Sequence, residues 1–379
     1  MPNAMTHAMG LLTTLSGRSH TPPRMPGSGA SEDGLTGDSV FATANRLPER
    51  PMTATQPFIA ADVGGTHVRI GLVRASGNPA HPVDVIRYRK YVCADYPGLV
   101  EILEDFISSL EGATIREGAI ACAGYALEDG SIITVNLPWQ VSLKAIRERL
   151  GLVDFRLVND FEAVAHAAAY VDASEVLRLT GPATAAPGPT LVVGPGTGLG
   201  AAVWIPTAAR PVVLATEAGQ AALTVGNDLE MALLREMLKQ RTHVSVEFAL
   251  SGPGLMNVHA AMCVLHGTTS NYRAPDEITA AALAGSDVRA RESLEVFCGL
   301  LGSTVGDMAL LYGVHGGIYL AGGILPQIRE FLLQSSFVER FLDKGPMRAA
   351  LEQIPVKLVE HGQLGVIGAA NWYLEQRAA

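Results

Sequence analysis

Residues 58–73, FIAADVGGTHVRIGLV, are the stretch on which the fold turns. Two apolar runs flank Gly64, Gly65 and Thr66, which predicts a strand, a tight turn and a second strand. Adjacent glycines reach backbone angles closed to other residues, and they carry no Cβ to keep a ligand from the turn's amides. An anion fits such a turn. Asp62 ends the first strand beside it, and a carboxylate facing phosphates makes chemical sense when a divalent cation lies between them. The stretch therefore points to ATP with magnesium. The plainer reading is an ordinary hairpin with a polar tip.

The theme returns at residues 190–206, TLVVGPGTGLGAAVWIP, again an apolar strand, a glycine turn (Gly194, Gly196, Thr197, Gly198, Gly200) and an apolar strand. This reads as an internal duplication. Two glycine hairpins, each opening its own α/β unit, can grip one polyphosphate from opposite sides of a cleft.

Between the hairpins, residues 83–92 read as a third strand. Residues 96–110 place Leu99, Ile102, Leu103 and Phe106 at helical spacing, and 118–122 resume a buried strand. A helix over 142–150 and a short strand, FRLV, lead to Asn159 and Asp160 at the head of an alanine-rich helix. The simplest role for Asp160 there is the helix N-cap. The Gly/Pro/Ala/Thr stretch 179–190, LTGPATAAPGPT, marks the expected domain boundary.

Beyond the second hairpin come ATEAGQ (215–220), helices near 227–240 and 253–265, and a long helix near 287–312. Its expected buried stripe is Phe297, Leu300, Leu301, Val305, Met308 and Leu311. In IYLAGGILP (318–326), Gly322 and Gly323 follow a strand, where either a planar ligand or a plain turn accounts for them. A strand near 355–359 and a helix over 364–376 end the chain.

With 379 residues, 48% of them hydrophobic and 17% charged, the chain is long enough for two domains around large cores. A net charge of −9 argues against a nucleic-acid phosphate backbone as the main partner and favours small molecules. No apolar run reaches membrane-spanning length and no signal-peptide pattern opens the chain, so a cytoplasmic location is expected. Cys93, Cys122, Cys263 and Cys298 are far apart and suggest neither a disulfide framework nor a zinc site. Residues 1–56 are rich in Pro, Gly, Ser and Thr without apolar period, and read as a disordered leader without a helix-turn-helix. Met5, Met9, Met25 and Met52 within it leave the translation start open.

Taken together, the motifs resemble the bacterial ATP-dependent glucokinase family, the group without the zinc motif, within the actin-like ATPase and hexokinase superfamily. The resemblance is carried by ADVGGTHVR, VNLPW, LVNDF, VGPGTGLGAA, HVSVEFALSGPGLMN and GGIYLAGGILP, in order over some 300 residues. Neither a G-x-x-x-x-G-K-[ST] P-loop nor a protein-kinase signature set occurs. The resemblance implies a two-lobed actin-like (ribonuclease H-like) α/β fold with a duplicated unit and a cleft between the lobes. On this reading residues 57–180 form a small domain completed by the helix 364–379, and residues 189–363 form a large one.

The same resemblance implies that Asp160 is the general base on a sugar 6-hydroxyl, with Asn136, Asn159, Glu217, Gln220 and Glu247 binding the sugar. It places phosphate at Gly64, Gly65, Thr66, Gly194, Gly196, Thr197 and Gly198, adenosine at Gly322 and Gly323, and magnesium at Asp62 through water. Family members of this kind are commonly homodimers. Two residues depart from the pattern. Gln220 stands where the family's Glu-x-Gly-His loop has histidine, and His67 where asparagine is common. A glutamine amide still donates and accepts, while its geometry bears on hydroxyl preference. The leading expectation is transfer of the γ-phosphoryl group of MgATP to glucose. Mannose, fructose or an amino sugar as acceptor, a catalytically weak sugar sensor and a polymerising scaffold are the alternatives.

Overall fold

The computed structural model describes residues 56–112, 114–127, 131–133, 137–168, 170–171, 173–208 and 210–378. The expected leader, apart from Gln56, and the candidate Asn136 lie outside the described residues.

The opening hairpin forms as read. β1 (Phe58–Val63) pairs antiparallel with β2 (His67–Asn78) in a register that sets Val63 opposite Val68 and Asp62 opposite Arg69. β3 (His81–Val92) joins the outer edge of β2. The chain then crosses through α1 (Leu99–Ser108) to β4 (Glu117–Cys122), which pairs parallel with the inner edge of β1. The four residues at helical spacing in α1 are its buried face, packed under the sheet with Phe155. Three short strands, β5 (Tyr125–Ala126), β6 (Ser131–Ile133) and β7 (Val141–Ser142), make a small separate sheet. α2 (Leu143–Leu150) starts where Ser142 Oγ accepts from the Ala145 amide at 3.3 Å. It stops at Gly151, whose φ of 64° is the left-handed conformation glycine adopts most readily. β8 (Asp154–Val158) then completes a five-stranded sheet of order β3-β2-β1-β4-β8.

α3 (Asp160–Ala168) leads out of this sheet, and β9 (Val176–Thr180) already belongs to the next one. There β10 (Thr190–Pro195), β11 (Leu199–Ile205) and β12 (Val212–Thr216) repeat the pattern of β1–β3. α4 (Asp228–Met237), α5 (Val246–Ala249), α6 (Gly252–Leu265), α7 (Pro275–Ala284) and α8 (Val288–Leu311) intervene before β13 (Ile318–Leu320). α9 (Arg329–Gln334), α10 (Phe337–Leu342) and α11 (Arg348–Leu351) precede β14 (Val356–Val359), and α12 (Leu364–Ala378) ends the chain. The second sheet runs β12-β11-β10-β13-β14-β9. Its first five strands carry the order and the antiparallel and parallel pairings of the first sheet, so the duplication read in the glycine hairpins extends to the whole unit.

Three expectations change. The boundary does not fall at 179–190: β9 pairs with β14, so the chain has entered the second unit by Val176, and α3 is the crossing. Leu311, expected in the buried stripe of α8, is the last residue of that helix and 78% exposed, whereas Phe297, Leu301 and Val305 are fully buried. Neither Gly64 nor Gly65 takes a positive φ, so the opening turn does not use these glycines for left-handed backbone angles. α12 packs on the first sheet. Val366, Ala369, Ala370 and Tyr373 meet Phe58, Ala60 and Val73, with the Phe58 and Tyr373 rings 5.0 Å apart.

α3 and α12 cross closely. A Cβ on Gly368 would lie 1.8 Å from the Ala163 carbonyl oxygen, so only glycine permits the approach. The Phe161 ring of α3 occupies the space a Cβ on Gly200 of β11 would need. α3 is thereby wedged against the second sheet on one side and α12 on the other, and the start of α3 is fixed with respect to both glycine hairpins.

Candidate active site

A cleft of about 320 Å³ runs between the two hairpins. Gly64 and Gly65 line it from the first, and Gly194, Gly196, Thr197 and Gly198 from the second. Asn159, Asp160, Glu217, Gln220, Glu247 and Gly322 complete the predicted residues on its walls. Thr66 and Gly323 do not line it. Asp62 sits behind the wall, close enough that its charge acts on Asp160.

The first turn is closed by the Gly64 amide donating to the His67 carbonyl at 3.0 Å and braced by the Cys93 amide donating to the Thr66 carbonyl at 2.9 Å. Asp62 Oδ2 accepts from Arg69 Nη1 at 3.2 Å. Burial raises the Asp62 carboxyl, and Arg69 opposes that shift. Arg69 was not among the predicted site residues, although the hairpin register sets it opposite Asp62.

In the second turn the glycines divide by role. A Cβ on Gly194 would lie 1.9 Å from the Ala321 carbonyl oxygen, and one on Gly322, whose φ is 106°, would lie 2.3 Å from the Pro195 carbonyl oxygen. These two let the ends of β10 and β13 touch. A Cβ on Gly198 would strike Glu247 Oε2 at 2.3 Å. A Cβ added to Gly196 or Gly323 would meet nothing within 4 Å, and neither residue has a positive φ. Close packing therefore does not explain these two glycines. The Gly196 amide donates to the Gly198 carbonyl at 2.7 Å, and the Gly196 carbonyl accepts from the Gly252 amide at the start of α6 at 2.8 Å.

At the head of α3 the capping role falls to Asn159, not to Asp160. Asn159 Oδ1 accepts from the Phe161 amide at 3.0 Å and the Glu162 amide at 3.1 Å. Asp160 Oδ1 also accepts from the Phe161 amide, at 2.9 Å. Burial pushes the Asp160 carboxyl up to about 6, with the charges of Asp62 and Glu217 adding to it and the backbone amides opposing. A carboxylate so placed accepts a proton near neutrality.

Glu217, Gln220 and Glu247 meet at the far wall. Glu217 directly follows β12 and precedes a 3-10 turn over Ala218–Gln220. Gly219 lets that turn sit against the Leu199 carbonyl oxygen, which a Cβ would approach to 2.4 Å. Glu247 lies in α5, capped by the Ser245 hydroxyl. Glu247 Oε2 accepts from the Leu199 amide at 2.8 Å, and its Oε1 accepts from Gln220 Nε2 at 3.2 Å. Behind them His243 Nε2 lies 3.0 Å from the Gln220 carbonyl oxygen, and the Val246 amide donates to the Ala221 carbonyl at 2.8 Å. His243 and Phe161 are further residues missed in the sequence. Their roles depend on contacts that no local motif encodes.

Two α/β units sharing a five-strand order, each presenting a glycine hairpin to one cleft that also holds a buried aspartate and a cluster of carboxylate and amide side chains, define an actin-like ATP-dependent sugar kinase. The glucokinase family model matches residues 59–376. A protein of Xylella fastidiosa (strain 9a5c) described as glucokinase-like is 54% identical over 331 residues, covering 87% of this chain and 98% of that protein. The glucokinase of Chromobacterium violaceum is 37% identical over 314 residues, covering 83% of this chain and 88% of that protein. The crystal structure of a glucokinase from an Antarctic psychrotroph superposes with a TM-score of 0.74 at 33% identity, covering 85% of this chain and 99% of that one. The chain belongs to the glucokinase family.

Proposed function

We propose that the protein transfers the γ-phosphoryl group of MgATP to the 6-hydroxyl of glucose, yielding glucose 6-phosphate and ADP. The observation that carries this reading is Asp160, a carboxylate raised to about 6, held at the mouth of a helix between two glycine turns and beside Glu217. A raised carboxyl at a phosphate cleft suits proton acceptance from a hydroxyl. The neighbouring acids and amides suit the other hydroxyls of a hexose, because a site built to bond them rejects an analogue that leaves its groups unpaired.

In this mechanism Asn159, Glu217, Gln220 and Glu247 hold the sugar, with Asn136 as a further hydroxyl ligand by family resemblance. Asp160 takes the proton of the 6-hydroxyl as its oxygen bonds to the γ-phosphorus and the bond to the β-phosphate oxygen breaks. Backbone amides at Gly65, Thr66, Thr197 and Gly198 neutralise the phosphate oxygens, the Gly64 and Gly196 amides being used within their own turns, and the bare faces of Gly196 and Gly323 leave room for the nucleotide. Asp62 fits magnesium. It is an oxygen donor held in place by Arg69, and magnesium bound to phosphates commonly takes only one or two carboxylates and keeps several waters. When bound, the ion would neutralise charge on the transferring phosphoryl group. Closure about the α3–α12 crossing would expel water and disfavour ATP hydrolysis. The reaction is that of a cytoplasmic enzyme.

The test is identification of the product by phosphorus NMR after incubation with MgATP and glucose. Glucose 6-phosphate with stoichiometric ADP is the expected result. ADP and inorganic phosphate without a sugar phosphate contradicts the reading.

A further inference from the structure

Gln220 is held at two points, and one of them is a residue that does not line the cleft. Its side-chain Nε2 donates to Glu247 Oε1 at 3.2 Å, and its backbone carbonyl oxygen lies 3.0 Å from His243 Nε2. A carbonyl oxygen only accepts, so the His243 nitrogen facing it carries the proton, in the neutral ring as in the charged one. The segments that carry Gln220 and His243 run antiparallel. The Leu223 amide donates to the Val244 carbonyl at 2.9 Å, the Val246 amide donates to the Ala221 carbonyl at 2.8 Å, and Ala222 pairs with Ser245 between them. Continued toward the cleft, this register sets Gln220 opposite Glu247, where their side chains meet. Backbone pairing stops short of them because α5 begins at Val246, and the His243 ring supplies a further bond to the loop, at the Gln220 carbonyl.

The hold passes on to Glu217, because the Gln220 amide donates to the Glu217 carbonyl at 2.9 Å. At its other end the loop is tied to β11: the Ala218 amide donates to Thr216 Oγ1 at 3.4 Å, and that hydroxyl donates to the Ala201 carbonyl at 2.9 Å. Gln220 and His243 are both exposed, so hydrogen bonds rather than packing fix the Gln220 end. We propose that His243 is a positioning residue for sugar binding, holding Gln220, and through it Glu217, in the arrangement that meets Glu247. It acts through Gln220, because it stands outside the cleft lining. The bond reaches the sugar loop and neither phosphate turn, and Asp160 stands on α3, outside the loop. Its loss therefore separates the two substrates: glucose binds more weakly, while ATP binding and turnover at saturating glucose are kept. One hydrogen bond between neutral groups is worth roughly two- to tenfold in an equilibrium constant. The proposal rests on the sugar-kinase reading and adds a residue to it.

The experiment measures kcat, the KM for glucose and the KM for ATP in the wild type, His243→Ala and His243→Gln. Alanine removes the donor, whereas glutamine returns an N–H donor on a side chain of similar reach. In His243→Ala the KM for glucose is expected to rise at least threefold, with the KM for ATP and kcat within twofold of the wild type. In His243→Gln the KM for glucose is expected to return to within twofold of the wild type. Partial loss of fold cannot produce this pattern, because it lowers the amount of active enzyme and leaves both KM values alone. A smaller rise in the glucose KM, a parallel rise in the ATP KM, or a His243→Gln variant closer to His243→Ala than to the wild type overturns this proposal alone. Absence of glucose turnover by the wild type overturns the sugar-kinase reading with it.

Discussion

Asp160 is costly to bury as an anion, and the protein keeps it in that position. Its carboxyl rises from 3.8 to about 6, chiefly through burial, so the folded chain binds a proton there more tightly than the unfolded chain does. The sign follows. The extra proton affinity favours the folded state fully below pH about 4 and is lost as pH rises through about 6. At pH 7 the ionised group costs on the order of 3 kcal/mol. Asp160→Asn, which removes the charge, is therefore expected to unfold at higher denaturant concentration than the wild type at pH 7 and to lose that advantage by pH 4. A purely capping aspartate would leave stability at pH 7 nearly unchanged in this variant, because asparagine caps a helix about as well as aspartate. Titration of kcat/KM for glucose should show the matching rise through pH about 6 to a plateau, since only the ionised carboxylate accepts a proton. This distinction was not legible in the sequence. Asn159 and Asp160 are adjacent and both are good caps, and only the backbone of α3 decides that Asn159 takes the amides.

The second glycine turn is an element in which packing and ligand binding use different residues. Gly194→Ala forces a Cβ to within 1.9 Å of a backbone carbonyl and is expected to cost more than about 2 kcal/mol in chemical denaturation. Gly196→Ala meets nothing within 4 Å and should change stability by less than about 0.5 kcal/mol, while raising the KM for ATP at least tenfold. If Gly196→Ala leaves that KM unchanged, the second turn does not carry the nucleotide. The hairpins themselves were legible, because alternating apolar runs around glycines encode strand and turn within a few residues. So was the Asp62 and Arg69 pair in principle, because a hairpin turning between Val63 and Val68 has only one register. The double engagement of Glu247 with Leu199 and Gln220 was not, since it joins elements 48 and 27 residues apart in the chain.

For the molecule as a whole, the repeated strand order places two like units on either side of one cleft, and α3 ties them together. The duplication was visible as two glycine hairpins. The crossing was not, because the loop at 179–190 has a linker's composition yet joins two strands of the same sheet. β9 reaches the second sheet through pairing with β14, some 180 residues further on, which no local signal announces. Placing Asp160 on α3 sets the proposed proton acceptor at the junction between the units, where closing the cleft would bring sugar and nucleotide together. The most direct test of this account is turnover of glucose by Asp160→Asn beside the wild type, with glucose affinity measured by calorimetry on both. A loss in kcat of a hundredfold or more, with glucose affinity within about tenfold of the wild type, is the result predicted for a general base. A variant that turns over glucose within a few-fold of the wild-type rate would contradict the account.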